Sequence, residues 1–221
     1  HTNCYILGVP GGERVVIDPA AKCVEGLTQL REKIDVMLAD GSNIIATIFT
    51  HRHGDHIGDL EALSQLYQAP VWGSCETLAT ISSSESNRTL QGGDSFKLDD
   101  VVWKVMETPG HCPGQLSFVS DAGIVSADNV AQVGTILVPS GEGDMTAYIR
   151  DLKRLRDCKP RLLFPGHGPV VTNPEKLLSH YIRHREKRHE AVFTAWENGL
   201  REIGQLSQAA YADTPDAHPM L

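Results

Sequence analysis

Apolar residues recur along this chain at two periods. Short strand-like runs occupy Cys4 to Val9, Arg14 to Asp18, Ile44 to Phe49, Val71-Trp72, Phe96 to Met106, Gln115 to Ala127 and Leu162 to Phe164. The first two are joined by Pro10-Gly11-Gly12, the turn residues of a hairpin. Helical spacing instead links Val24, Leu27, Leu30, Ile34 and Leu38, then Leu60, Leu63, Leu66 and Tyr67, and predicts a further helix from Met145 to Arg156. Strands and helices alternate without internal repeats, which fits a mixed α/β fold of two sheets sandwiched between helices. The polar Ser82 to Asn87 stretch reads as a mobile connection, and the Gly-rich segment Val130 to Asp144 as either a substrate-facing lid or an ordinary loop.

A last helical pattern runs through Leu178, Tyr181, Ile182, Val192, Phe193, Trp196 and Leu200, which form its expected buried side. Lys176, Arg183, Arg185, Lys187 and Arg188 stand among them. Such a run is either an electrostatic footprint for phosphate or RNA or the solvated face of an amphipathic helix, and the apolar partners favour the second. The chain divides accordingly into a main unit over 1–172 and a helical C-terminal extension over 173–221.

The chemistry concentrates where strands end. His51, His53, Asp55 and His56 crowd into six residues directly after Ile44 to Phe49, and imidazole nitrogen with carboxylate oxygen suits zinc and its first-row neighbours. In extended chain His51 and His53 face one side. Gly54 then permits a bend that lets Asp55 and His56 face a second ion about 3.5 to 4 Å from the first. Ligand-type residues return in similar settings: His111 in Thr108-Pro109-Gly110-His111, Asp128 at the end of Gly123 to Ala127, and His167 in Pro165-Gly166-His167-Gly168. A packed sheet can hold each such turn rigid and aim its side chain.

In order and approximate spacing these motifs resemble the metallo-β-lactamase fold hydrolases, over most of the chain. That resemblance implies a four-layer αββα sandwich. It implies His51, His53 and His111 on one metal, Asp55, His56 and His167 on another, Asp128 bridging them, and Asp18 supporting the ligands from behind. Within the family, Thr2 to Gly8, Gly168 to Val171, the Tyr181-Ile182-x-His184-Arg185 helix and Tyr211-x-x-Thr214-Pro215 look like the branch of lactamase-β-like protein two, an endoribonuclease, and fungal polyketide thioesterases. In that branch a strand precedes the first one seen here and a winged-helix-like unit follows, so both ends of this chain are expected to be incomplete.

The resemblance implies hydrolysis with two zinc ions, or manganese or iron in their place. Zinc lowers the pKa of bound water from about 15.7 to about 7, so a bridging hydroxide would be the nucleophile and Asp55 would orient it. An ester or thioester is the expected substrate. Single-stranded RNA is the alternative, with lactam cleavage and iron-dependent redox chemistry behind it. The net charge of −8 disfavours an all-over positive field for nucleic acid. No apolar run is long enough for a membrane span. Five scattered cysteines without a C-x-x-C pair suggest a reducing compartment such as the cytoplasm, and Cys112, beside His111, reads as a wall of the site.

Overall fold

The computed structural model describes residues 1–81 and 87–213. In chain order these form β1 (Tyr5–Leu7), β2 (Glu13–Ile17), α1 (Val24–Ala39), β3 (Asn43–Ile48), α2 (Gly54–Ile57), α3 (Leu60–Ser64), β4 (Val71–Gly73), α4 (Cys75–Leu78) and β5 (Arg88–Thr89). The second half holds β6 (Ser95–Leu98), β7 (Val101–Glu107), β8 (Leu116–Ser120), β9 (Gly123–Ala131), α5 (Met145–Asp157), β10 (Leu163–His167), α6 (Pro174–Glu197) and α7 (Ile203–Ala210). Ser82 to Ser86, in the expected connection, and Thr214-Pro215 lie outside the described residues.

Two five-stranded sheets result, ordered β1-β2-β3-β4-β5 and β10-β9-β8-β7-β6. Three apolar clusters show how they stack. Val15, Ile17 and Ile48 of the first sheet meet Trp103, Leu116, Phe118 and Val125 of the second. Val16 and Ile44 point the other way, onto Leu30, Ile34 and Met37 of α1. Ile124 and Leu163 likewise turn outward to Tyr148, Leu152 and Leu155 of α5 and Leu178, Tyr181 and Ile182 of α6. The period-2 alternation of strands thus separates helix-facing from sheet-facing residues, and the layers are αββα as expected. One irregularity serves the site. The β2–β3 register steps from Arg14↔Ile44 to Val15↔Ala46, so Ile45 is an extra residue that resets which face of β3 points inward before the chain reaches Thr50 and His51.

Several expectations need correction. Asp128 does not end its strand: β9 continues to Ala131, with a register shift against β10 at the site and Ala127 at φ 46°. That shift hides the strand's continuation from an alternation pattern. The segment after β9 therefore starts at Gln132 rather than Val130. α3 stops at Ser64, before Leu66 and Tyr67. On α6 the amphipathic reading holds only in the first half. Arg185 is buried, whereas Phe193 and Trp196 are 53% and 49% exposed. Beyond Arg185 the helix packs against α7 and buries Ala195, so Phe193 and Trp196 fall on its open side. Among the described residues no helix is long and apolar enough to cross a membrane.

Candidate metal centre

All seven residues singled out in the sequence converge just after β3, within β9, at the end of β10 and in the β7–β8 turn. His51 lies in the bend that follows β3. His53 is the residue before α2, and the one-turn helix that begins at Gly54 swings Asp55 and His56 back. The result is two triads. His53 Nδ1 lies 3.1 Å from His51 Nε2 and 3.0 Å from His111 Nε2. His56 Nε2 and His167 Nε2 lie 3.7 and 3.5 Å from Asp55 Oδ2. Asp128 stands between them, its Oδ2 at 3.6 Å from His111 Nε2 and 3.3 Å from His167 Nε2, its Oδ1 at 3.4 Å from His56 Nε2.

Most of the rings are held from behind by an acceptor on Nδ1. His111 Nδ1–H donates to the Leu137 carbonyl at 2.7 Å, and His167 Nδ1–H to the His1 carbonyl at 3.1 Å. His56 Nδ1–H donates to Asp18 Oδ2 at 2.9 Å. His51 is reached through a relay: its Nδ1–H donates to Thr50 Oγ1 at 3.0 Å, and that hydroxyl donates to Asp18 Oδ2 at 2.6 Å. Asp18 also accepts the Thr50 backbone N–H at 2.8 Å. With each Nδ1 committed to donation, each Nε2 turns an unprotonated lone pair inward, as metal-ligating imidazoles require. His53 is the reverse, with Nδ1 inward.

This arrangement suits a cation rather than a closed polar network. His56 Nε2 and Asp128 Oδ1 are buried without a hydrogen-bond partner, which in a dry site is costly unless something else binds them. Burial, reinforced by neighbouring imidazoles, holds His51 well below the usual histidine range, and burial also lowers His111. Burial opposes charge on His56 as well, yet Asp18 and Asp128 prevail and raise it to about 10. On Asp128 burial is outweighed by the close His167 and His56 rings, which push its carboxyl well below the usual range. The unprotonated rings of His51 and His111 beside the ionised Asp128 form a donor set for a divalent metal, and the proton on His56 occupies a position where the field favours positive charge.

Backbone strain collects here. Asp18 and Ala127, the latter directly before Asp128, both adopt φ 46°, a conformation L residues avoid at a cost of about 1 to 3 kcal/mol. Gly166 is required by space: a Cβ there would sit 2.2 Å from Asp128 Oδ1 and 2.8 Å from His56 Cε1. The first residues clamp the same turn, since the Asn3 carboxamide donates to the Pro165 and Gly168 carbonyls and Thr2 pairs with His167.

Three contributors escaped the sequence reading. Thr50 was visible next to His51 as a hydroxyl able to relay. The Leu137 carbonyl carries no side-chain signal. Glu142 lies 90 residues from its partner Arg52, whose Nε and Nη2 donate to it at 3.0 and 2.6 Å, in a segment whose composition says only loop. Cys112, the expected wall, is buried beside it, its Sγ 3.3 Å from Glu142 Oε1.

Comparison with known proteins places the fold in a family. A family model described as the metallo-beta-lactamase superfamily matches residues 1–167. A Drosophila melanogaster protein named beta-lactamase-like protein 2 homolog is 24% identical over 97% of this chain and 76% of its own length. An Aspergillus fumigatus atrochrysone carboxyl ACP thioesterase is 26% identical over 95% of this chain, which spans 65% of that protein. Among solved structures, a beta-lactamase domain protein from Burkholderia ambifaria superposes with a TM-score of 0.80 at 21% identity, covering 96% of this chain and 78% of that one.

Proposed function

The chain is a hydrolase belonging to the metallo-beta-lactamase superfamily, and from that premise we propose that it cleaves an ester or thioester with two zinc ions held by the seven converging side chains. His51, His53 and His111 would hold one ion, Asp55, His56 and His167 the other, and Asp128 faces both. The observation that carries this reading is the pair of donor triads with one carboxylate spanning them. Manganese or iron would accept the same nitrogens and oxygens. Bound metal supplies activation of water and polarisation of the acyl oxygen.

The chain's own residues do the rest. Asp18 fixes the rings of His56 and, through Thr50, His51. Asp55 is the catalytic carboxylate in this reading: its side chain is 57% exposed, the most open of the seven, and Thr2 Oγ1 donates to it at 3.2 Å. It can therefore meet water and substrate while His51, His56, His111 and Asp128 stay buried. Residues 1–172 form the hydrolytic unit in this reading. The helical extension that begins at residue 173 is a separate unit in this reading, and its first helix, α6, packs against α5.

An acyl substrate is favoured over RNA by the fate of the α6 cations. Arg185 is buried, and Lys187 and Arg188 pair with Asp213, which leaves Lys176 and Arg183 exposed. The name of the Aspergillus relative points the same way. The test is elemental analysis of the zinc-loaded protein followed by turnover on thioesters, esters, lactones, lactams and short single-stranded RNAs. Two zinc ions per chain with thioester or ester turnover fastest is expected. RNA cleavage without acyl turnover would replace this substrate class by the endoribonuclease alternative, and stoichiometric iron with oxygen consumption would overturn hydrolysis.

A further inference from the structure

The segment between β9 and α5 contributes to one triad in two places. Leu137 supplies the carbonyl that holds His111 Nδ1–H at 2.7 Å. Five residues later, Glu142 Oε2 faces His53 Nε2 at 3.4 Å, the ring nitrogen on the side away from the cluster. That spacing is long for a hydrogen bond but in reach of one on slight closure. Glu142 is not free to wander, because Arg52, between His51 and His53, grips its other oxygen with two guanidinium nitrogens. The segment is tied down at its end as well, where Asp144 N–H donates to the Gly110 carbonyl at 2.9 Å, one residue before His111.

We propose that Glu142 is a positioning residue that accepts the Nε2–H of His53, keeps the Nδ1 lone pair of that ring turned to the metal, and thereby couples the seating of residues 132–144 to occupation of the His51–His53–His111 site. The proposal rests on the metal-site reading above. His53 is the ring that needs such an acceptor most. It is the only one of the five site imidazoles whose Nδ1 faces inward among the described residues, and its backbone is the cap of a one-turn helix with no side-chain bond to fix it. His53, Cys112 and Glu142 also lie close enough together to be considered a third cation site. The Arg52 guanidinium on Glu142 argues against that, since it already neutralises the carboxylate and would repel a cation there.

Because one segment carries acceptors for two of three rings, a metal bound to that triad stabilises the seated segment, and the seated segment strengthens binding by the same factor. The test uses the whole chain stripped of metal and titrated calorimetrically with zinc alone. Glu142→Ala should weaken one of the two binding events by about 10- to 100-fold and leave the other unchanged, the usual effect of removing a partner from a ligating histidine. Glu142→Gln should restore most of the loss, since its amide oxygen still accepts from His53. Backbone exchange over 132–144 should slow on zinc addition in the wild type and much less in Glu142→Ala. Equal zinc affinities in wild type and Glu142→Ala would overturn the proposal and leave the metal site standing. A Gln variant as weak as Ala would overturn the hydrogen-bond role. A wild-type chain that takes up no zinc would instead overturn the metal-site reading, and the proposal with it.

Discussion

Asp18 and His56 are 38 residues apart in sequence, yet Asp18 Oδ2 accepts the Nδ1–H of His56 at 2.9 Å while both side chains are buried. The same carboxylate accepts the Thr50 hydroxyl and backbone N–H, so one group at the end of β2 aligns two rings that belong to different triads. Asp18→Ala should therefore impair both proposed metal positions together. Zinc affinity is expected to fall about 10- to 100-fold at each. The metal-free protein should lose about 1 to 3 kcal/mol, because the Thr50 N–H is left buried without an acceptor. Calorimetric zinc titration and urea unfolding measure the two effects; an affinity loss confined to one ion would contradict the shared role.

Gly166 offers a sharper separation of site from fold. Its backbone is not in the left-handed region, so alanine meets no conformational objection, but the new Cβ would collide with Asp128 Oδ1 at 2.2 Å. Asp128 has to swing out of the space between the triads. Gly166→Ala is expected to keep native circular dichroism while zinc affinity falls at least about tenfold and turnover falls with it. Wild-type zinc binding in this variant would show that Asp128 does not need its observed position.

Much of this arrangement was legible from residue order alone, and the reasons differ by element. The His51 to His56 cluster was visible because its candidate ligands are close in sequence, and the glycine among them lets the chain turn. Asp128 was singled out as a candidate ligand but misplaced as a strand end, since the register shift and positive φ at Ala127 are tertiary features that interrupt no apolar pattern. Arg185 was read as a surface cation because charge normally stays in water. Only the structure shows it facing the Tyr148 ring at 5.5 Å and bonded to the segment after β9. Glu142 was out of reach, for its role depends on a contact made across 90 residues.

Acid should loosen the end of α6 through one carboxylate. Lys187 and Arg188 donate to the Asp213 carboxylate and hold its pKa well below the ordinary 3.8. A carboxyl depressed in the folded state stabilises it fully above its unfolded value, and that stabilisation is lost as pH falls through the folded one. The contribution of Asp213 should thus be complete at neutral pH and shrink progressively below about pH 4. Because the pair is open to solvent, salt should weaken it as well. Trp196, half-exposed near the end of the same helix, gives a fluorescence signal for an acid titration. Asp213→Asn should flatten the acid limb that the wild type shows, and an unchanged limb would assign it to other carboxyls.

Arg183 and Arg185 of α6 separate substrate recognition from architecture. Arg185 Nη2 donates to Thr135 Oγ1 at 2.9 Å and to the Ile136 carbonyl, beside the Leu137 carbonyl that orients His111. Removing it strips charged hydrogen bonds from a buried position, so Arg185→Ala should cost about 2 to 3 kcal/mol and slow turnover of every substrate alike. Arg183, two residues earlier, is exposed, and Arg183→Glu should change stability by no more than about 0.5 kcal/mol. If the substrate is a small acyl compound, Arg183→Glu leaves kcat/KM for the thioester near the wild-type value. If α6 guides RNA to the centre, the same change lowers RNA cleavage, with a loss that shrinks as salt rises, because a phosphate contact contributes through counterion release. Measuring both variants on a thioester and on a short RNA, at two ionic strengths, decides whether the remaining charge on α6 belongs to the substrate or only to the surface.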